Sequence, residues 1–472
     1  MVFSSLIFLF LFLPMALVCY YAAGRRLRNA VLLAFSWAFY FWGSAEVLGI
    51  LIVSTLTDYL IGLEIDGAKD RRGAKRWAAF SIIVNLAFLA YFKYANFFVG
   101  ELSGVLSLFG GGPLPWAEVL LPTGISFFTF HKITYIVDIY RGTKKAFRSF
   151  VDFALYIAFF PQLIAGPIVR FHEIADQITG RRENTGDFYT GVVRFLWGLV
   201  KKVLIADACG EIADAVFALS PMHLDTKSAW LGVFSYAMQI YFDFSAYADM
   251  AVGLGLMFGF KLPENFRRPY SALSITDFWR RWHITLSNFF RDYLYIPLGG
   301  NKAGTQRAYF NLLVVFTLCG LWHGANWTFL AWGLYHGGLL IFERVAGIRR
   351  VEPGRGEAVR RAATFVLVLI GWALFRSGSI GEAALFIRAM FVPSNLPVPI
   401  EVSLALNARN VVLLALSSIV LFLPREWSGY RIFDERRPAV SLALTVGLFI
   451  LALYSFSFIA GGSFNPFIYF RF

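Results

Sequence analysis

The chain has 472 residues, of which 58% are hydrophobic and only 15% charged, and its mean hydropathy is +0.61. Soluble proteins carry about a quarter charged residues, so this composition excludes an ordinary soluble domain and points to an integral membrane protein. The net charge of +13 does not mark a nucleic-acid binder, because Lys and Arg cluster in short loops between apolar runs, as membrane orientation requires.

In chain order, apolar runs fall near 4–22, 30–43, 46–63, 77–98, 117–139, 150–169, 190–220, 229–260, 309–322, 325–343, 362–376, 408–424 and 438–460. Runs of this kind predict membrane helices. The first lacks a positively charged start and reads as a retained span rather than a removed signal. Basic loops follow at 69–76 (five Lys/Arg), 141–148 (four), 261–307 (eight), 344–361 (six) and 425–437 (four), whereas 99–116 has none and 221–228 only Lys227. Both flanks of 150–169 are basic, and Pro161, Gly166 and Pro167 interrupt it, so this run is expected to re-enter without crossing. The pattern then predicts an all-α polytopic membrane protein with about twelve crossings and both ends outside. It would form one membrane domain, its core near 90–345 and its C-terminal helices at 346–472. The tail after Ile459, rich in aromatics, is expected outside as an exposed partner surface or an interface anchor.

The stretch 265–301 alternates charges and aromatics too closely for a span, and is expected to hold short helices at or dipping into the cytoplasmic interface. Two carboxylates, Asp243 and Asp249, lie within one apolar run. Each needs a partner there, and Arg280 or Arg281 could supply one; Asp243 could instead line a polar tunnel.

Six histidines are candidates for chemistry. His172 and His223 read as solvated loop residues, and His131 and His336 as structural groups inside spans. His283 sits in an Arg-Trp cluster. His323 lies between two apolar runs, beside Gly324 and Asn326, where the chain must turn. A titratable group at such a place is costly, and imidazole can take and return a proton near neutral pH, so either a catalytic base or a structural hydrogen bond fits. The three cysteines have no disulfide or metal spacing, and the chain contains no H-E-x-x-H, G-x-S-x-G or Walker loop.

The pieces Phe278-Trp279-Arg280-Arg281-Trp282-His283, Arg291-Asp292-Tyr293-Leu294-Tyr295-Ile296-Pro297-Leu298-Gly299-Gly300-Asn301 and Gly320-Leu321-Trp322-His323-Gly324-Ala325 resemble the signature of membrane-bound O-acyltransferases. Tyr91 to Phe97, Leu121 to Phe127 and Leu163 to Ile168 are similar to the branch of bacterial polysaccharide acetylases that includes the alginate O-acetylase membrane subunit. The likeness runs to about residue 380; beyond it only hydropathy matches. It implies helices around a central tunnel in the bacterial inner membrane, His323 as the catalytic residue and His283 as a second functional position. It also implies acetyl-CoA as a cytoplasmic donor, a polysaccharide acceptor outside, an extracytoplasmic acetyltransferase partner, and no bound metal. Arg280, Arg281 and Trp282, with Asp243 and Asn326, become candidates for donor or substrate binding, since Arg suits phosphate. Cellulose, peptidoglycan or teichoic acid remain alternative acceptors, and a lipid-linked glycan transporter is the alternative outside this class.

Overall fold

The computed structural model describes all residues except 221–223, 303, 349–353, 355, 395, 424–437, 463–465 and 469–472. His223 and the whole 425–437 loop therefore lie outside the described residues. Those described are helical or coil, with no strand among them. The chain packs as two compact units, one of residues 1–191 and 254–263, the other of 192–253 and 264–472.

In the first unit, α1 (Leu13–Ala22), α2 (Arg28–Ser44), α3 (Leu48–Asp66) and α4 (Arg71–Leu108) follow the apolar runs closely. α4 starts where Asp70 caps it, its carboxylate accepting from Gly73 N–H at 2.6 Å. Its 38 residues make a rod of about 57 Å, well beyond a bilayer core of about 30 Å. Only 11% of its most apolar stretch is buried, so this helix keeps an apolar surface for lipid. α5 (Ile125–Tyr140) is the opposite: His131, Lys132, Thr134 and Asp138 are all buried on it. Lys132 reaches Ser54 Oγ at 2.6 Å and lies 3.9 Å from Asp58, whose carboxylate also accepts from Ser81 and Asn85.

The expected break in 150–169 is present. α6 (Phe150–Ala158) stops at Phe159, α7 (Phe160–Leu163) is a single turn begun by Pro161, and Gly166 takes φ 101°. The freed Phe160 N–H finds Ser36 Oγ at 3.2 Å. In α8 (Phe171–Gly180), His172 is not the solvated residue expected: its N–H and its Nδ1 both meet Asp138 Oδ2, at 3.0 and 2.8 Å.

In the second unit, α9 (Thr185–Val200) passes through one π-helical turn (Lys201–Ala206) into α10 (Asp207–Phe217). Against them runs α11 (Thr226–Met257), so close at Gly198 that a methyl there would sit 2.7 Å from Ala246 O. After α12 (Ile275–Trp279) and α13 (Ile284–Phe290) comes a helical hairpin, α14 (Thr305–His323) and α15 (Trp327–Val345). Then follow α16 (Glu357–Arg376), α17 (Ile380–Phe391), α18 (Ile400–Ala405), α19 (Ala408–Ser418) and α20 (Pro438–Ala460). α17 and α18 were not among the expected runs.

The hairpin closes on glycine. A methyl on Gly320 would lie 2.2 Å from Phe329 O, and one on Gly333 2.3 Å from Phe316 O. Backbone, not a pliable side chain, is what each would strike. Gly333→Ala is therefore expected to lower stability by about 1–3 kcal/mol, as overpacking does. A thermal unfolding scan of detergent-purified protein checks this, and an unchanged midpoint would contradict the close packing.

Among the described residues, four helical runs are long and apolar enough to cross a membrane: Arg28–Asp66, Arg71–Leu108, Glu357–Arg376 and Ser441–Ala460. Within the tail, residues 467 and 468 depart from expectation. Phe467 and Ile468 are buried, Ile468 N–H donates to Asp243 Oδ2 at 2.7 Å, and the Phe467 ring stands edge-on to Tyr247 at 5.0 Å. Phe467 serves packing here because the buried Asp243 carboxylate needs donors and the Ile468 N–H supplies one.

Candidate active site around two histidines

Glu343 of α15 is the first anchor of the 265–301 stretch. Its buried carboxylate accepts from Ile275 N–H at 2.5 Å and from the N–H and hydroxyl of Thr276 at 2.8 and 2.7 Å, holding the start of α12. Phe278, Trp279 and Trp282 are then buried within the protein, rather than resting at a lipid interface. Trp282 stacks on Phe278 at 5.6 Å and meets Trp372 at 4.9 Å. Its indole is thus part of the aromatic core.

The two segments 265–268 and 281–284 are stitched by Arg267 N–H to Arg281 O at 2.9 Å and Ile284 N–H to Asn265 O at 3.0 Å. Among the described residues the two non-glycine positions of positive φ are Arg268 (50°) and His283 (43°), one on each segment. Backbone of this kind is strained and is held only by strong surrounding structure, a pattern frequent at functional sites.

His283 is fully buried at the N-terminus of α13. Asn265 Oδ1 accepts from Thr285 N–H at 3.2 Å and from the Thr285 hydroxyl at 2.9 Å, and His283 Nδ1 lies 3.1 Å from the same oxygen. A backbone N–H can only donate, so that atom is the amide oxygen and His283 Nδ1 must carry the proton. This tautomer leaves the basic lone pair on Nε2. Burial pushes the imidazole down to about 3, so it is neutral across the physiological range.

His323 is the last residue of α14. Gly324 is extended there, and any side chain on it would strike the Phe329 ring, at 2.1 Å for a methyl. Asn326 caps α15, accepting from Thr328 N–H at 3.0 Å, and its amide donates to Gly378 O at 2.9 Å. That residue shapes the turn. The rings of Trp322, Trp332 and Phe375 stand edge-on to the His323 imidazole at 4.9, 5.1 and 5.1 Å. Trp322 also lies 6.0 Å from His283, so the two histidines flank one indole. His336 sits behind, its Nδ1 accepting from Trp279 Nε1–H at 3.3 Å.

Asn265 also lines a cavity of about 700 Å³. Six cations face it (Arg194, Lys201, Arg267, Arg268, Arg280, Arg281) against three carboxylates (Asp249, Glu264, Asp277). Arg194 binds Glu264 at 2.5 Å and Asp249 at 2.9 Å, Lys201 binds Asp249 at 2.6 Å, and Arg281 binds Asp277 at 2.8 Å. The carboxylates are thereby matched while the cavity keeps an excess of positive charge. Of the expected residues, Arg280 and Arg281 line it, and Asp243 does not: Asp243 pairs with Lys202 at 2.7 Å. Nor does Asp249 pair with Arg280 or Arg281, because Arg194 and Lys201 reach it from the neighbouring helix.

Sequence reasoning missed Asn265, Arg194 and Lys201. An isolated Asn before an Arg pair carries no signal of its own, whereas two buried cations seven residues apart, opposite two aspartates in the next run, could have been matched.

A polar, cation-lined cavity joined through one asparagine to a buried histidine pair, inside a helical protein with lipid-length apolar helices, defines a membrane-embedded enzyme site. The chain belongs to the membrane-bound O-acyltransferase family, whose model matches residues 119–373. It is 44% identical to a probable alginate O-acetylase AlgI of Pseudomonas putida, each chain being covered in full. A peptidoglycan O-acetyltransferase of Helicobacter pylori is 35% identical over 83% of this chain and 80% of its own. A teichoic acid D-alanyltransferase of Bacillus subtilis is 31% identical over 46% of this chain and 57% of its own. The likeness thus reaches past residue 380 to the C-terminus, further than the motifs alone extended. The protein is a membrane O-acyltransferase.

Proposed function

We propose that this enzyme takes an acetyl group from acetyl-CoA on the cytoplasmic side of the bacterial inner membrane and serves the O-acetylation of an exported, alginate-like polysaccharide. One observation carries the reading: Asn265 is at once a wall of the cationic cavity and the group that orients His283, which shares an indole with His323. A phosphate-rich donor suits the cavity's excess of cations, and its thioester can point toward the histidines. His323 takes the proton from an attacking hydroxyl as its oxygen bonds to the thioester carbonyl carbon. The carbon–sulfur bond then breaks, and the imidazolium returns the proton to the leaving thiolate, giving an acetyl ester and free CoA thiol. His283, neutral, keeps Nε2 as an acceptor beside this path.

The acceptor is assigned from the full-length likeness to the alginate O-acetylases; the peptidoglycan and teichoic acid relatives are more distant and partial. About twelve crossings around a tunnel, and an extracytoplasmic acetyltransferase that completes transfer, belong to the same reading. The buried tail residues lend the partner no support.

Arg280 is an exposed cation of the cavity wall and can be changed without breaking a core contact. Arg280→Glu is expected to raise the KM for acetyl-CoA roughly tenfold while kcat changes little, the loss of one charge-assisted bond to phosphate. Steady-state thiol release by membranes carrying the protein tests this. An unaltered KM would take the donor away from this cavity.

A further inference from the structure

We propose that Phe375 sets the length of the acyl group that can be presented to His323, restricting transfer to the acetyl group. This rests on the acyl-transfer reading above and adds the part of the site that selects the acyl chain.

His323 is 7% exposed, and its imidazole is flanked by three rings of two different origins. Trp322 and Trp332 belong to the hairpin itself, and Phe375 arrives from the last turn of α16. Trp332 cannot withdraw. The next residue, Gly333, is pressed against the Phe316 carbonyl, so the α14–α15 seam fixes the indole in place. It also packs on His336 at 5.0 Å and Trp279 at 5.6 Å, so replacing it would hollow the core. Phe375 is the adjustable wall. It meets His323 at 5.1 Å, Phe329 at 4.9 Å and Trp332 at 5.2 Å, always edge-on. Asn326 holds it there: the amide that caps α15 donates to Gly378 O, three residues beyond Phe375, and ties the end of α16 down over the histidine turn.

A thioester carbon that approaches the imidazole must place its acyl substituent among these rings. A methyl is the smallest such substituent. Each added methylene must displace ring atoms in a wall whose neighbours are already in contact, and close-packed interiors resist even one such group. Hydrophobic pockets discriminate single methylenes by roughly 10–200-fold, and this is the range in which the wall can work.

The test compares acetyl-, propionyl- and butyryl-CoA as donors in membranes carrying the enzyme, supplied with the periplasmic fraction of the same cells and with alginate oligomers as acceptor, and reads kcat/KM as thiol release and as ester on the oligomer. The wild-type enzyme is expected to favour acetyl over butyryl strongly. Phe375→Ala is expected to lose some acetyl transfer and to raise the butyryl-to-acetyl ratio by roughly tenfold or more. Phe375→Leu, which keeps the site filled and folds where alanine fails, is expected to give an intermediate ratio. An unchanged ratio in a variant that still transfers acetyl overturns the proposal, as does complete loss of transfer in both variants, since a size filter is not required for chemistry. If the wild-type enzyme uses none of the three donors, the acyl-transfer reading itself falls, a result distinct from an unchanged ratio.

Discussion

An enzyme carrying His323→Ala is expected to transfer acetyl groups about 10²–10⁴ times more slowly than wild type, the usual loss when a general base is removed. The imidazole is the titratable group at the turn of the α14–α15 hairpin, and alanine leaves nothing there to hold the hydroxyl proton while the thioester is attacked. Folding should survive, because the turn is built by Gly324 against Phe329 and by the Asn326 cap. Polymer acetylation in intact cells, normalised to the amount of protein in the membrane, is the measurement. Undiminished acetylation at equal protein level would remove His323 from the chemistry. His283→Asn gives a useful contrast, since asparagine tolerates the left-handed backbone found there and isolates the role of the ring.

Asp249→Ala is expected to produce the largest loss of stability, about 3–5 kcal/mol, as for a buried charge left without its partner. Asp249 is shared by two buried cations, Arg194 and Lys201. Glu264 still holds Arg194 at 2.5 Å, so Lys201 is the group exposed to the full cost, with Ser245 Oγ at 3.0 Å as its remaining neighbour. Thermal unfolding in detergent should show a large downward shift, and a second change, Lys201→Met, should restore part of it by removing the stranded charge. A single variant as heat-resistant as wild type would mean that the network contributes nothing to the fold.

Much of the architecture was legible in the residues themselves. Length and hydropathy fix which segments can be helices in lipid, since a backbone in hydrocarbon must satisfy its own hydrogen bonds; α2, α3 and α4 therefore lie nearly where apolar runs placed them. Pro161 and Gly166 announced the breaks before and after α7, because proline removes a donor and glycine admits positive φ. His323 and His283 were conspicuous as titratable groups in apolar or aromatic surroundings. Pairing was not legible. Asp249 belongs to Arg194 and Lys201 rather than to Arg280 or Arg281, His172 belongs to Asp138, and the tail's Ile468 N–H belongs to Asp243. Charge and hydropathy say that a buried group needs a partner, and many residues can supply one. Which residue does so depends on helix rotation, on the π-helical turn at Lys201–Ala206 and on glycine contacts such as Gly198 with Ala246. Those are long-range packing outcomes, and only the tertiary structure decides them: it brings Asn265, His283 and the adjacent Trp322 and His323 into one chain of contacts, although these three stretches lie apart in the sequence.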